Sequence, residues 1–510
     1  MTHHRGRLCI LKRERTSRQQ AMKGRDLRSI KSHQSRAGAD GYTLHDTHDD
    51  EQRPNNPRGA APTDDPYLVK LDGGDADPMN PRNMTMLRRW CIGSLYTSMY
   101  GQLMPEFGTS RIVCTLGLSL FIAGLGTGPM VLSPLSEFYG RRPVYICSFT
   151  FFLIWLIPCA LAHNVQTMLV ARFLDGLAGS AFLSVAGGTV GDMFAKHELS
   201  APMIVYTASP FIGPEIGPLI GGFIVQNTTW RWCFYVLIIW SGVQLALIAL
   251  FVPETYHPVL LRKKAMRLRK ETGAPWVAPI EKLSRSIAKT VLWSCIRPFQ
   301  LLILEPMCLN LCILSAILLG ILYLFFGAFP LVFQNNHGFN VSQTGLSFLG
   351  LFVGMLVGIV SDLFWRRMYN RLVQRSEEQG GGSEPEFRLP STILGAFVVP
   401  VALFGFGWTT YPSRHLGLLW SVYLLARSLE LTSPTTQYPL YAASALAANS
   451  FARSYFAAAF PLFGVQMYNN LGYQWATTLL AFLALAMAPF PILFFRFGKN
   501  LRGNSRFASG

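Results

Sequence analysis

Charge is scarce in these 510 residues: 14% are Asp, Glu, Lys or Arg, while 50% are hydrophobic. A soluble domain carries about a quarter charged residues, so a water-soluble enzyme or binding module is excluded as the main body. Nine Cys are scattered without metal-ligand spacing, and Cys308 and Cys312, one helical turn apart, fit plain packing. No phosphate-binding P-loop is present, which argues against an ATP-driven pump, and no nucleophile elbow points to an enzyme. The basic start is not followed by an apolar region and cleavage site, so no secretory signal is read there.

Long apolar runs are what the chain has instead, and its mean hydropathy is +0.28. Crossing the hydrocarbon core takes about 20 apolar residues in a helix. Ten segments meet this: 112–135, 143–162, 165–190, 202–225, 232–252, 306–333, 344–364, 391–409, 440–466 and 474–495. Two shorter ones, 90–104 and 416–426, bring the total to twelve. The expected class is an all-α integral membrane protein.

Cytoplasmic loops are enriched in Lys and Arg, and alternate loops follow that rule. Arg141 and Arg142, Lys196, ten Lys and Arg from Arg262 to Arg297, and Arg366, Arg367, Arg371 and Arg375 mark inside loops. The segments 162–164, 334–345 and 468–474 contain neither residue and fall outside. The tail from Arg496 through Lys499, Arg502 and Arg506 is basic, so both ends are expected in the cytoplasm. Sequons at Asn227 and Asn340 lie in outside loops, and the one at Asn83 lies inside. Residues 1–89 contain no span: eleven Lys and Arg run up to Arg36 and ten Asp and Glu from Asp40 to Asp77, the composition of a disordered tail. The net charge of +17 falls largely on inside segments and implies no nucleic acid partner.

An internal repeat orders the spans. SEFYGRR (136–142) matches SDLFWRR (361–367), and GLSLF (117–121) and GLSFL (345–349) lie upstream of the two copies. Spans 2 and 8 therefore correspond, which divides the chain into a tail (1–89), a six-helix half (90–252), a basic connector (253–300), a second half (301–495) and a tail (496–510). Parallel halves with a substrate site between them near the midplane characterise secondary transporters.

Five motifs in order, PLSEFYGRRP (134–143), LVARFLDGLAGS (169–180), GPEIGPLIGG (213–222), PETYHPVLLRKKAMRLRKETG (253–273) and YAASALAANSFARS (441–454), resemble the major facilitator superfamily and its fungal twelve-span drug:proton antiporters. The resemblance implies the two-half pseudo-symmetric fold of that family, with spans 1 and 10 abnormal here. It also implies proton-coupled export of small hydrophobic or cationic compounds by alternating access, at the plasma membrane, by a monomer without cofactor or metal. An importer or facilitator on the same scaffold and a non-transporting copy are the alternatives.

Candidate residues follow. Gly213, Gly217 and Gly221 fall on one stripe that lets a neighbouring helix approach, and Pro214 and Pro218 predict kinks. In the resembling family these residues, with Gly222, form the antiporter signature; a tightly packed helix without gating role is the alternative. Glu215, an ionisable group in a span, either titrates or meets a cationic substrate, or is a hydrogen-bonded neutral acid. Arg172 and Asp175, three apart on span 4, make an ion pair, and the resemblance implies a role for Arg172, less directly for Asp175, in proton coupling. Glu137, Gly140, Arg141 and Arg142 resemble the family's conformational latch, with Ser133 where the pattern has Gly and Phe138 where it has a basic residue; Asp362, Arg366 and Arg367 are the second-half equivalent. Tyr323, Phe325, Phe326 and Phe329, with Asn449, are candidates to line an apolar substrate cavity, with packing as the alternative; Arg453 fits a snorkelling side chain. Two spans depart from the family: span 1 has about 15 residues against about 20 needed, and span 10 turns polar at Arg427 and Glu430.

Overall fold

The computed structural model describes residues 98–193, 200–282, 287–378, 387, 389–411 and 442–503. The amino-terminal tail, the start of span 1, Lys196, span 10 with Arg427 and Glu430, Arg506, and the side chains of Pro214 and Asp362 lie outside the described residues. The described elements are helical, with no strand among them. In chain order they are α1 (Tyr100–Phe107), α2 (Arg111–Tyr139), α3 (Arg141–Ala160), α4 (Val165–Gly179), α5 (Ala181–Met193), α6 (Ser200–Asn227), α7 (Arg231–Phe251) and α8 (His257–Thr272). Then come α9 (Ile287–Leu304), α10 (Pro306–Pro330), α11 (Val341–Ser347), α12 (Leu349–Glu378), α13 (Leu389–Trp408), α14 (Ala442–Leu471), α15 (Tyr473–Met487) and α16 (Pro489–Gly503). Among the described residues eight stretches are long and apolar enough to cross a membrane, and α6 and α14, of 28 and 30 residues, occupy the positions read as spans 5 and 11.

Local chemistry sets several boundaries. Asn164 opens α4 by accepting the Thr167 N–H at 2.8 Å. Asn340 and Gln343 form a reciprocal capping box at the start of α11. Gly140 separates α2 from α3 at φ +99°, in the left-handed region that a side chain disfavours. Span 4 is divided at Ser180 and span 8 at Phe348. By contrast α6 continues as helix through Pro214 and Pro218, so the prolines do not break it. The surrounding helices hold it, as packed neighbours do for prolines in membrane helices.

Two large apolar cores stand out among the described residues. One is built mainly from α1 to α4, α6 and α7, around Leu103, Leu156, Met168, Trp230 and Phe234, and is joined by Ala457 and Ala458 of α14. The other surrounds α10 and takes in α13, α14 and α15. The groups meet where α6 packs on α11 and α12, and where α2 packs on α14. Thr127 and Tyr455 hydrogen-bond across the second contact at 3.1 Å.

Candidate functional site

The first contact carries the glycine-rich segment. On α6, Pro218, Gly222 and Gln226 recur every four residues and form the face turned to α11. A Cβ on Gly222 would lie 2.9 Å from the Val341 carbonyl oxygen, and one on Gly345 2.6 Å from that of Pro218. Gln226 accepts the Ser342 backbone N–H at 3.0 Å. Ser98, at the described start of span 1, donates to the Pro218 carbonyl at 3.2 Å. The close approach across the halves is thus made at Gly222, beside the expected Gly213, Gly217 and Gly221 stripe. Gln226, Gly345 and Ser98 were missed because their role depends on the rotation of α6.

Glu215 lies three residues before Pro218 and seven before Gly222, on the same face. It is 1% exposed, and neither carboxylate oxygen has a hydrogen-bond partner among the described residues. The alternative of a hydrogen-bonded neutral acid finds no partner there. A charge at such a place needs a proton or a cation to accompany it.

Arg172 and Asp175 are both buried, with Nη1 3.4 Å from Oδ2. The guanidinium lies 4.6 Å from the ring centre of Phe234 on α7 and 5.5 Å from that of Phe121 on α2. Two aromatic faces therefore share the stabilisation of this cation with the carboxylate. The pair stands within the first core.

The SEFYGRR turn forms a denser site. Where α3 begins, Glu254, three residues past α7, presents its carboxylate to the backbone N–H groups of Arg141 and Arg142 at 2.8 and 3.2 Å. It also accepts those of Thr255 and Tyr256, at 3.1 and 3.0 Å. A carboxylate at a helix amino terminus satisfies orphan donors and complements the helix dipole. A Cβ on Gly140 would fall against the Glu254 carboxylate, so a side chain here would displace that cap as well as strain the φ that favours Gly. The Arg141 side chain donates to Asp192 on α5 at 3.0 Å and to Ser136 at 2.6 Å, and stacks 4.7 Å over Tyr256. Arg142 donates to the Ala249 carbonyl at 2.8 Å, and Glu137 is half-buried beside this turn. Asp192 and Glu254 were missed; the Glu of the PETYHP motif was the available signal.

The second copy of the repeat follows a different backbone path. Trp365 stands where Gly140 stands, and α12 continues as helix from Leu349 to Glu378. Arg366 and Arg367 are consequently mid-helix residues, so the two copies match in sequence but not in the turn.

The aromatic candidates separate. Phe325, Phe326 and Phe329 are at most 2% exposed; they pack with Phe348 and Phe406, the Phe326 and Phe348 rings stacking at 5.4 Å. Here these side chains pack in the core of the second half, as in the packing alternative above. Tyr323 is half-buried and packs against both apolar cores, and Asn449 on α14 is half-buried too.

At the other end of the bundle, α1 is tied to the loop between α6 and α7. Gln102 donates to the carbonyls of Val225 and Thr228 at 2.9 and 3.0 Å. Glu106 accepts from the Trp230 indole and pairs with Arg231 at 2.7 Å. Burial opposes ionisation of Glu106, which lies beyond the first span as read above, but the bonds from Trp230 and Arg231 and the charges of Arg231 and His163 hold its carboxyl below the usual range. Asn227 and Asn340, the sequon residues expected outside, are exposed at this same end.

Comparison with known proteins adds independent findings. Residues 84–443 match the family model described as Major Facilitator Superfamily. The chain is 54% identical over 460 residues to the efflux pump atB of Aspergillus terreus, covering 88% of this chain and 91% of that protein. It is 37% identical over 471 residues to the probable drug/proton antiporter YHK8 of Saccharomyces cerevisiae, covering 87% and 90%. The crystal structure of the human organic anion transporter MFSD10 shares the fold, with TM-score 0.50, 16% identity and coverage of 78% and 89%. Motif order, apolar helices, two packed helix groups and these matches agree: this multi-pass membrane protein belongs to the major facilitator superfamily.

Proposed function

We propose that the chain is a proton-coupled antiporter that exports small hydrophobic or cationic compounds by alternating access. The observation that carries this is Glu215: a buried carboxylate without a described partner, placed on the helix face that meets the other half. In exchange, a proton or the charge of a cationic substrate occupies it in turn, and its state biases the packing of Pro218 and Gly222 against α11. The relatives named as an efflux pump and a probable drug/proton antiporter support the direction and the coupling ion.

The other parts fit that cycle. Arg172 with Asp175 takes part in proton coupling. Glu137, Gly140, Arg141, Arg142, Asp192 and Glu254 latch the inner end, with Asp362, Arg366 and Arg367 contributing from the second half without the matching turn. Gly213, Pro214, Gly217, Pro218, Gly221 and Gly222 form the gating helix. Tyr323 and Asn449 face the substrate. The domain limits are those read from the sequence, with both termini cytoplasmic, residues 227 and 340 outside, and a monomer embedded in lipid at the plasma membrane.

The test is export of a panel of cationic and hydrophobic compounds from cells expressing the chain, with surface expression measured and the proton gradient present or collapsed. Export that stops when the gradient collapses is expected. Export that survives collapse indicates a facilitator, and no export of any compound at good surface expression favours the non-transporting alternative.

A further inference from the structure

The connector is a folded element with one unusual face. Helix α8 holds six Lys and Arg against one Glu. Two of the basic residues turn toward the segment that follows: Arg262 reaches Glu281 at 3.6 Å, and Arg269 pairs with the same carboxylate. Ala265 and Ala278 are fully buried between helix and segment, with Leu261, Leu268 and Trp276 packed around them. This leaves a second stripe.

Val259, Lys263, Met266, Arg267 and Lys270 stand at i, i+4, i+7, i+8 and i+11, one side of a helix. Val259, at the start, is buried at 8% exposure; Lys263, Arg267 and Lys270 are exposed, and Met266 is 41% exposed. The start of α8 is fixed at the inner end of the bundle, because Glu254 caps α3 and Arg141 stacks on Tyr256. The stripe that begins buried in protein therefore continues beyond it at the level where helices end and headgroups begin. Glu271 offsets Arg267 at 3.6 Å, in an exposed pair of little strength.

We propose that α8 lies on the membrane surface and binds anionic phospholipid headgroups through Lys263, Arg267 and Lys270, with Met266 entering the interface between them. Basic side chains at this depth gain from a negative surface potential, and an apolar residue among them anchors the helix. The inference rests on the orientation proposed above only for which leaflet is bound, not for whether binding occurs.

The experiment uses the full chain in lipid nanodiscs of phosphatidylcholine with or without phosphatidylserine, which presents the same headgroups on both faces, so a wrong orientation cannot imitate failure. Lysine acetylation is read by mass spectrometry. Phosphatidylserine is expected to lower acetylation of Lys263 and Lys270 severalfold, with about 0.5 M salt restoring it. Changing Lys263→Gln, Arg267→Gln and Lys270→Gln together is expected to lower phosphatidylserine retained by the purified protein severalfold, at an unchanged thermal midpoint. Equal acetylation in both nanodiscs overturns the proposal: low in both points to cover by protein, such as the acidic segment 40–77, and high in both to a free helix.

Discussion

Glu254 accepts the backbone N–H of Arg141 at 2.8 Å, joining positions 113 residues apart in the chain. The start of span 3 is thereby capped by a residue that follows span 6, which ties the ends of two helices together. Replacing Glu254 by Ala removes the acceptor from Arg141, Arg142, Thr255 and Tyr256; loss of one helix cap alone costs about 0.5–2 kcal/mol. A lowered thermal midpoint of purified protein is expected for Glu254→Ala, with Glu254→Gln intermediate. A Glu254→Ala midpoint equal to wild type removes the cap from the account.

Gly140 is the complement of that carboxylate. Gly140→Ala places a Cβ against the Glu254 carboxylate at a φ of +99°, so it should lower the midpoint at least as far as Glu254→Ala does. Trp365→Ala, in the uninterrupted second copy, should leave that turn untouched. Scanning both variants by fluorescence-detected unfolding compares them directly.

Breaking one partner of a buried ion pair costs about 3–5 kcal/mol. Arg172→Ala should therefore destabilise the first half, while Arg172→Lys keeps the charge but loses the planar stacking against Phe234. Arg172→Lys is expected at the cell surface with weakened gradient-driven export. Wild-type export by this variant would dismiss the coupling role of the guanidinium.

Glu215→Gln keeps the volume and removes the titrating group. Export should fall and what remains should lose the wild-type pH profile. Because the wild-type carboxylate has no described partner, thermal stability should be unchanged or higher. A variant that keeps the wild-type pH profile would show that the coupling proton binds elsewhere.

The contact between Pro218 and Gly345 leaves no room for a side chain, since a Cβ on Gly345 meets the Pro218 oxygen at 2.6 Å. Gly345→Leu should wedge this end open. In a background without native cysteines, a Gln226→Cys and Ser342→Cys pair should crosslink readily, and Gly345→Leu should suppress that crosslink severalfold. An undiminished yield means that these helices separate elsewhere.

Glu106 supplies a pH prediction. Its carboxyl is held below the ordinary range, so its bond to Trp230 and Arg231 adds stability that is present above the unfolded value and is lost as pH falls through the folded one. The difference in midpoint between wild type and Glu106→Gln should be constant near neutrality and shrink below about pH 4.5. The effect is small, because the pair is partly exposed.

Much of this molecule was legible in one dimension. Spans, loop charge and the order of motifs are local properties, and a helix of about 20 apolar residues has nowhere to go but the bilayer. The expectation of helices in the places of spans 2 to 9 and spans 11 and 12 rested on nothing longer than one apolar run. Arg172 and Asp175 were legible as a pair because three residues along a helix bring side chains together wherever the helix lies. Glu254 and Asp192 were not, since their partners are distant in the chain and no spacing connects them to Arg141. The aromatic residues of α10 stayed open between two readings for the opposite reason: periodicity marks a buried face without telling a cavity wall from a core.

Residue order alone thus indicated which segments form apolar helices long enough to cross a membrane and which residues share a turn, because hydrophobic burial and backbone hydrogen bonding act within each segment. Tertiary structure decided which face of α6 meets α11, placing Glu215 with Pro218 and Gly222 at the contact between the halves. It also decided that Gly140 turns the chain where Trp365 does not. Those choices depend on how far each helix is rotated and how closely two backbones approach, quantities set by all the neighbours at once.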